Sequence, residues 1–412
     1  MSEAGNRSAP GSPDVGNLVG SPVTAPRFVV VGSPDSRRTV GFRAAALAAG
    51  CPAPRVLLWS DVLREGNVRF LPGEIVRLDS PDGDPVVDRL LRGPLEPTRV
   101  EGTARWYRGL ADAARDIGRA ARRDGARMLD DPAELAVLFD KRLCHGRLTA
   151  AGVPVPASPT SGPDAPVPAD WAGVRELLRD AGLSRAFVKP AHGSSASGVL
   201  ALEIAGGGRV QATTSVELAA DGSLHNSLRV RRYRTEREVA AIVDALAPDG
   251  LHLERWLPKA GQDGRTADLR VVVVAGRAGH AVVRTSRSPM TNLHLGGVRG
   301  DLARALAGIP AGGGDPAEPW GIAERAAGCF PGTLSVGVDV LPGTGWRTFR
   351  VGEVNAFGDL LPGLLGAPGR GAEHSNTWET QVAAVLAGCP PVGIGPDLPA
   401  PAPVPGRPGG AR

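Results

Sequence analysis

At 412 residues, with 42% hydrophobic residues and a net charge of +4, the chain has room for two or three domains and no general attraction to nucleic acid. It has no run of about 18 apolar residues and no charged segment before an apolar one at its N-terminus, so we expect neither a membrane span nor a secretion signal. Its four cysteines lack CxxC spacing, which argues against a zinc knuckle or disulfide framework and favours a cytoplasmic protein.

The first predicted elements alternate between strand and helix. Residues 1–26 show no apolar periodicity and are predicted to be a disordered leader. After them, RFVVVG from Arg27 predicts a buried strand, an Ala-rich helix ends at Gly50, and RVLLW from Arg55 predicts a second strand. This β-α-β order is typical of an open parallel sheet, so we predict an α/β domain over residues 27–125.

Helices dominate the next segment. One is predicted over Ala111–Arg123, and one long helix over DDPAELAVLFDKRLCHGRLTAAG, which starts at Asp130 with an Asp-Pro signal. The proline-rich GVPVPASPTSG ends this pattern and marks a domain edge or linker.

Short apolar runs bounded by glycines follow, and they predict antiparallel strands with intervening helices. One hairpin is predicted at VVVVAGRAGHAVVR, from Val271, and the second half of the chain is therefore predicted to be α+β. The basic run Arg229–Arg237 has one tyrosine and is interrupted by glutamate, which favours a solvated strand and helix start over a nucleic-acid surface. Contact with an anionic substrate is the alternative. The proline-rich residues 390–412 are predicted to be a disordered tail.

Three oxygen-bearing side chains lie on two consecutive predicted strands. Glu353 and Asn355 are two residues apart in FRVGEVN, so both point to the same side, and Asp339 lies in the preceding apolar strand. If the strands pair as a hairpin, the three converge, and oxygen ligands of this kind suit Mg²⁺. The alternative is a solvent-facing Asp339 and an ordinary polar strand face.

A lysine followed by small residues indicates a phosphate contact. Lys189 ends an apolar strand in FVKPAHGSSASGV, and Gly193, Ser194, Ser195 and Gly198 follow it. Small residues let backbone N–H groups approach phosphate oxygens, and lysine supplies a compact charge. The segment is not a Walker A loop, and the alternative is a flexible surface hairpin.

The remaining candidates lie on either side of the predicted hairpin. In LHLERWLP, Glu254 and Trp256 end a strand that can offer backbone groups to an adenine edge, while Glu254 or Asp268 accepts from a ribose hydroxyl. Arg284 closes the hairpin, and Asn292 lies in the glycine-bearing loop TNLHLGGVRG. A loop cap is the alternative for Asn292.

Taken in order, seven segments resemble motifs of the ATP-grasp superfamily, especially its ribosomal-modification ligase and D-alanine–D-alanine ligase types. They are DKRLCHGRLTAAGVPVP, FVKPAHGSSASGV, LERWL, DLRVVVVAGRAGHAVVR, TNLHLGG, VGVDVL and VGEVNAFGDLLPG, within residues 140–363. The resemblance implies an ATP-grasp fold over residues 126–389, with two α+β subdomains clasping ATP, preceded by the α/β open-sheet domain.

The resemblance also implies side-chain roles, with ATP and Mg²⁺ or Mn²⁺ as cofactors. The implied nucleotide contacts are Lys141, Lys189, Gly193, Ser194, Ser195, Gly198, Glu254, Trp256, Asp268 and Asn292. The implied metal ligands are Asp339, Glu353 and Asn355. Arg284 and Asn355 are implied to act in catalysis, with Arg284 meeting the γ-phosphate or an acyl phosphate.

The reaction implied is carboxylate activation. In the family, a carboxylate oxygen attacks the γ-phosphorus of ATP to give an acyl phosphate and ADP, and an amine or similar nucleophile then displaces phosphate. This chemistry needs charge neutralisation and in-line positioning more than a protein nucleophile. We expect a small-molecule or peptide carboxylate and an amine acceptor as partners, with neither membrane nor nucleic acid, and a homo-oligomer is left open. The alternatives are a kinase of the same fold and a non-catalytic nucleotide-binding subunit.

Two departures from the family pattern leave points open. Met290 stands where ribosomal-modification ligases carry a basic residue, and AFGD follows Asn355 where relatives continue with Ser or Pro and Gly. The Asp359 of that segment either contacts an amine substrate or a water near the metal, or caps the loop.

Overall fold

A computed structural model describes residues 25–81, 83–194, 196–357, 361 and 363–389. The predicted leader up to residue 24, the predicted tail, and the candidate residues Ser195 and Asp359 lie outside these described residues. Within them, no helix combines the length and the apolar character needed to cross a membrane.

The N-terminal part of the chain forms a four-stranded parallel sheet. Its strands are β1 (Arg27–Gly32), β2 (Arg55–Leu58), β3 (Glu74–Leu78) and β4 (Arg127–Met128), and its helices are α1 (Arg37–Ala48), α2 (Trp59–Glu65), α3 (Pro85–Arg92) and α4 (Thr103–Arg123). The spatial order is β2-β1-β3-β4. Residues 28–32 of β1 are buried, as expected for a parallel strand covered on both faces. The predicted β-α-β order and open parallel sheet are confirmed.

The segment after this sheet differs from the prediction. The sequence predicts one long helix from Asp130, but the chain forms two, α5 (Pro132–Leu138) and α6 (Lys141–Ala150). The prediction is wrong because Asp140 starts a new helix: its carboxylate accepts hydrogen bonds of 2.9 and 3.1 Å from backbone N–H groups of the first turn of α6. The break places Lys141 at the very start of α6.

The second sheet is antiparallel and has its own core. Its strands are β5 (Arg185–Pro190), β6 (Leu200–Ile204), β7 (Val210–Leu218), β8 (Leu224–Tyr233) and β9 (Leu251–Arg255), in the order β8-β7-β6-β5-β9, with helices α7 (Trp171–Asp180) and α8 (Glu236–Leu246). Val174 of α7, Val239 of α8 and Leu253 of β9 are fully buried together. The basic run Arg229–Arg237 forms the largely exposed end of β8 and the start of α8, as predicted for a solvated strand and helix start.

The third sheet is also antiparallel. Its strands are β10 (Gly261–Gln262), β11 (Arg265–Val274), β12 (Arg277–Ser286), β13 (Val298–Arg299), β14 (Ser335–Pro342) and β15 (Phe349–Asn355), in the order β13-β12-β11-β14-β15 with β10 beside β11. Its helices are α9 (Leu302–Ala311), α10 (Glu318–Gly328) and α11 (Thr377–Leu386). Ile322 and Ala326 of α10 are fully buried with Val338 of β14. The predicted hairpin from Val271 and the predicted pairing of the last two strands are confirmed.

The two antiparallel sheets border a cleft of about 440 Å³. The chain crosses from β9 to β10 along one side of it, and the loops after β1 and β3 close one end with Ser36 and Ser80. The strand order reverses between β1 and β3, so the loops after these strands leave toward opposite faces of the sheet and open a crevice at its edge. Two α+β subdomains thus enclose a cleft and follow an α/β open-sheet domain, which confirms the predicted fold class.

Candidate active site

The three predicted oxygen ligands lie together on the β14–β15 edge of the cleft. Asp339 and Glu353 are direct cross-strand partners, and Asn355 lies two residues further along, opposite Gly337. The register shifts by one residue after Asp339, which leaves Gly352 as the extra residue of a bulge. Partners in an antiparallel pair share a face, so all three side chains point into the cleft.

Two arginines hold Asp339 in place. Arg284 Nη2 lies 2.9 Å from Asp339 Oδ1, and Arg270 Nε donates to the same oxygen. Burial raises the pKa of Asp339, but the attraction of Arg270 and Arg284 outweighs it, so the pKa lies below its usual range. Asp339 is therefore ionised and aimed at the cleft.

The donor set fits a hard divalent cation. Among the described residues no group of three or more His, Cys, Asp or Glu side chains is placed to hold a metal ion, so a cation here would rely on the carboxamide as well as the two carboxylates. The amide nitrogen of Asn355 donates to Gly337 O at 3.2 Å, which turns its oxygen away from that carbonyl. Two carboxylates and one amide oxygen suit Mg²⁺, which keeps further positions for water and phosphate.

Arg284 is fixed by a two-pronged ion pair. Its Nε and Nη2 donate to the two oxygens of Asp268 at 2.8 and 2.9 Å, and Thr291 donates to Asp268 as well. Burial lowers the pKa of Arg284, but Asp268 and Asp339 outweigh it and raise the pKa above its usual value. The guanidinium is a permanent, oriented positive charge beside the oxygen ligands.

Lys141, at the start of α6, contacts both β15 and the candidate phosphate-binding loop after β5. Its Nζ lies 2.9 Å from Glu353 Oε1 and donates to Gly193 O, while its backbone N–H donates to Ala191 O at 2.9 Å. The helix start found at Asp140 therefore brings Lys141 against both β15 and the loop that follows β5.

Lys189 forms a buried pair with Glu254. The two side chains extend from neighbouring strands β5 and β9, and Glu254 is only 3% exposed. Burial raises the pKa of Glu254, but the attraction of Lys189 and of the neighbouring His252 outweighs it and brings the pKa to about 2. Burial lowers the pKa of Lys189, and the attraction of Glu254 and Glu353 more than compensates. Glu254 thus lines the cleft with its carboxylate engaged by Lys189.

Two candidates lie outside the cleft lining. Trp256 packs 3.9 Å from the Arg185 guanidinium carbon and 5.6 Å from the Phe187 ring, whereas its chain neighbours Arg255 and Leu257 line the cleft. Gly198 supports the loop from behind: its φ is +72°, and an added Cβ would lie 2.6 Å from a Pro190 side-chain atom. Gly193, Ser194 and Asn292 do line the cleft.

One wall of the cleft is apolar. It consists of Phe187, Val199, Leu257, Met290 and Leu341. Met290 is 4% exposed and packs with Leu295 and with Val199, which directly precedes β6. The residue that departs from the family pattern therefore forms part of the apolar wall of the cleft.

The sequence analysis assigned no role to three features of the lining. Arg270 and Lys259 line the cleft, and so does the N-terminal wall with Arg37 and Arg38, whose Nη1 donates to Phe357 O at 3.0 Å. Arg270 lies two strand positions from Asp268, so the strand period could have placed both on one face. Lys259 could have been noticed because the chain has only three lysines. The N-terminal wall carries no readable signal, since only the meeting of domains places it there.

Solved structures with a similar architecture include ATP-grasp ligases. The ATP-grasp ligase PsnB complexed with minimal precursor is 16% identical, with a TM-score of 0.48 over 88% of this chain and 99% of that chain. The macrocyclase MdnC from Microcystis aeruginosa, bound with precursor peptide MdnA, is 11% identical, with a TM-score of 0.46 over 88% and 99% of the two chains. A RimK domain protein ATP-grasp from Sphaerobacter thermophilus is 15% identical, with a TM-score of 0.44 over 87% and 99%.

No protein-family model matches the chain, and no curated protein matches it either. The solved structures similar to this chain include ATP-grasp ligases, and the ATP-grasp fold is the fold that its sequence motifs predict.

Proposed function

We propose that this chain is an ATP-dependent ligase that activates a carboxylate as an acyl phosphate, releases ADP and couples the acyl group to an amine. The observation that carries the proposal is the meeting of two sets of side chains in one cleft. Oxygen ligands suited to Mg²⁺ lie on β14 and β15, and fixed cations suited to phosphate lie beside them. Phosphoryl transfer depends on this combination of positioning and charge neutralisation.

The lining of the cleft supports this proposal for each part of the nucleotide. Its apolar wall, with Met290 and Leu341, suits the adenine ring, and the backbone at Leu257, which lines the cleft, would offer hydrogen bonds to the adenine edge. Lys141, Lys189 and Arg284 would then bind phosphate oxygens. Asp339, Glu353 and Asn355 would hold Mg²⁺, which when bound neutralises phosphate charge.

The carboxylate substrate, a small molecule or a peptide, would approach from the N-terminal wall. Arg37 and Arg38 line that wall, and arginine is well suited to bind a carboxylate in two-pronged geometry. The loop containing Gly193 and Ser194 would cover the phosphates and keep water from the acyl phosphate. The substrate oxygen would attack in line, and Arg284 would stabilise the charge that develops on the transferred group.

The test is ADP release in the presence of ATP, Mg²⁺ and a panel of carboxylic acids and acidic peptides. We expect release to depend on an acid and a hydroxamate to form when hydroxylamine replaces the amine. If none of the acids that trigger ADP release gives a hydroxamate, the ligase proposal is refuted. A phosphorylated product stable to hydroxylamine would identify a kinase, and binding of MgATP without turnover would identify a nucleotide-binding subunit.

A further inference from the structure

All three lysines of this chain line the same cleft. The sequence has 47 lysines and arginines together, and only Lys141, Lys189 and Lys259 are lysine. Eight of these 47 basic side chains line the cleft, so a random placement of three lysines would rarely put all of them there. Elsewhere the chain uses arginine for every basic position.

The two side chains differ in ways that matter for a phosphate site. A guanidinium is a planar fork with fixed donor directions, whereas an ammonium is a compact charge whose three N–H donors rotate on a flexible stem. An ammonium can therefore follow phosphate oxygens that move during transfer. The restriction of lysine to the cleft points to a shared task for the three side chains.

Lys259 differs from the other two lysines in its partners. Lys141 and Lys189 each pair with a glutamate, but the Lys259 Nζ bonds only neutral acceptors, Pro289 O at 3.2 Å and Thr291 Oγ1 at 3.3 Å. Across the described part of the chain, no carboxylate forms an ion pair with it. Two of its three donors are used, and its charge is not balanced by an adjacent anion.

Lys259 is also connected, through a chain of contacts, to the groups proposed to bind phosphate. Its partner Thr291 donates to Asp268, which holds Arg284, and Arg284 in turn contacts Asp339. Burial lowers the pKa of Lys259, and the field of Asp268 does not offset this. An anionic oxygen from a ligand would supply the missing counter-charge and take the third donor.

We propose that Lys259 is a third ammonium of the nucleotide site and binds a phosphoryl oxygen of ATP. This inference rests on the proposed function, because it takes ATP as the ligand of the cleft.

The test uses an ATP analogue with a desthiobiotin acyl group on its terminal phosphate. A nearby lysine amine attacks the acyl carbon, the acyl–phosphate bond breaks, and ATP leaves. Because Lys259 lines the cleft with the groups proposed to bind phosphate, its amine would lie within reach of the acyl group of the bound analogue. We expect mass spectrometry to find the acyl group on Lys259 and excess ATP to abolish the labelling. An Arg277→Lys variant adds an exposed lysine on β12, remote from the cleft, whose labelling ATP should not reduce.

The outcomes separate this inference from the proposed function. Labelling of Lys141 or Lys189 alone, suppressed by ATP, would overturn the role of Lys259 and leave the nucleotide site standing. If no lysine shows ATP-sensitive labelling and calorimetry detects no binding of Mg²⁺ and the non-hydrolysable analogue AMPPNP, the role of Lys259 and the proposed function are both refuted.

A pair of variants gives an independent measurement. Lys259→Met keeps the length of the side chain and removes its charge, so we expect affinity for Mg²⁺–AMPPNP to fall about tenfold or more, with an unchanged circular dichroism spectrum. Lys259→Arg restores the charge and should recover part of that loss. Equal affinity in Lys259→Met and the parent protein would overturn the proposal.

Discussion

Each acidic side chain in the cleft is matched by a basic one. The pairs are Glu353 with Lys141, Glu254 with Lys189, Asp268 with Arg284, and Asp339 with Arg270 and Arg284. A lone buried charge is costly, so pairing keeps both groups ionised in a partly closed site. If MgATP binds as proposed, it would enter by exchange: phosphate oxygens would replace the carboxylates beside the cations, and the metal would take the carboxylates.

The Glu353→Gln substitution tests the proposed ligand set. Glutamine keeps the size of the side chain but lacks the charge, so we expect acid-dependent ADP release to fall at least about 100-fold. The free energy of unfolding should change by less than about 1 kcal/mol, because the Glu353 side chain is 31% exposed and its ion pair with Lys141 is partly solvated. Denaturant unfolding checks the fold, and Glu217→Gln, which breaks the remote pair with Arg231, is the matched control. Undiminished turnover in Glu353→Gln would refute the proposal that Glu353 is a metal ligand.

Asp130 predicts a pH dependence of stability away from the cleft. Burial raises its pKa to about 7, and the nearby Arg77 offsets this only in part. The folded pKa exceeds the unfolded value of about 3.9, so stability is full below that value and is lost as pH rises through 7. Asp130→Asn should therefore raise the free energy of unfolding at pH 8, on the order of 2–4 kcal/mol, with the gain vanishing towards pH 4.

Denaturant titrations of both proteins across that range measure the difference directly. Asp124 serves as a control of opposite sign, because a hydrogen bond from Arg123 lowers its pKa. Asp124→Asn should therefore reduce stability at pH 8, and the loss should shrink as pH falls below the unfolded pKa. If Asp130→Asn raises the free energy of unfolding equally at every pH, the raised pKa of Asp130 is contradicted.

Among the elements, the start of α6 matters most for the site. Asp140 satisfies free N–H groups of the first turn, and this cap fixes Lys141 between β15 and the loop after β5. Helix α7 begins in the same way, with Asp170 accepting from Gly173 N at 2.8 Å, but it lies away from the cleft. The two ten-residue helices form a matched pair.

We expect Asp140→Ala and Asp170→Ala to cost similar stability, about 1 kcal/mol each, because each removes one capping side chain. Only Asp140→Ala should also weaken the binding of Mg²⁺–AMPPNP, since only α6 carries a lysine into the site. Calorimetry and denaturant unfolding on both variants provide the comparison. Equal nucleotide affinities would show that the cap does not position Lys141.

At the scale of the whole molecule, the cleft is bordered by two separately packed bodies. The second sheet has its own apolar core, while the third shares one with the N-terminal sheet. A small buried cluster of Val199, Met290 and Leu295 joins the two antiparallel sheets beside the cleft. Because this cluster is small, we expect the loops that carry it to become more ordered when a ligand fills the cleft.

Hydrogen exchange provides the test of this ordering. Amides of residues 191–199 and 289–297 should exchange several-fold more slowly with Mg²⁺–AMPPNP bound, while α10, buried behind the third sheet, should not change. Unaltered exchange in both loops at saturating nucleotide would mean that they do not become more ordered.

The sequence by itself determined the strands, the hairpins and the face that the oxygen-bearing side chains share. Period-two alternation requires Glu353 and Asn355 to share a face in any strand, and small residues after Lys189 require a tight loop wherever the chain lies. These properties are local, so reading neighbouring residues is enough. The single helix predicted from Asp130 shows where such local prediction fails. At Asp140 the chain can either continue the helix or cap a new one, and the apolar pattern alone does not decide between these two outcomes.

Only the tertiary structure decided which charges meet. Glu254 lies 65 positions from Lys189 and Asp339 lies 69 from Arg270, and no local pattern encodes such pairs. The register between strands brings them opposite one another, and packing of the subdomains places Lys259 and the N-terminal wall in the same cleft. Charge pairing acts over a few ångströms in space, whatever the separation along the chain, so the final arrangement of the site depends on the complete fold.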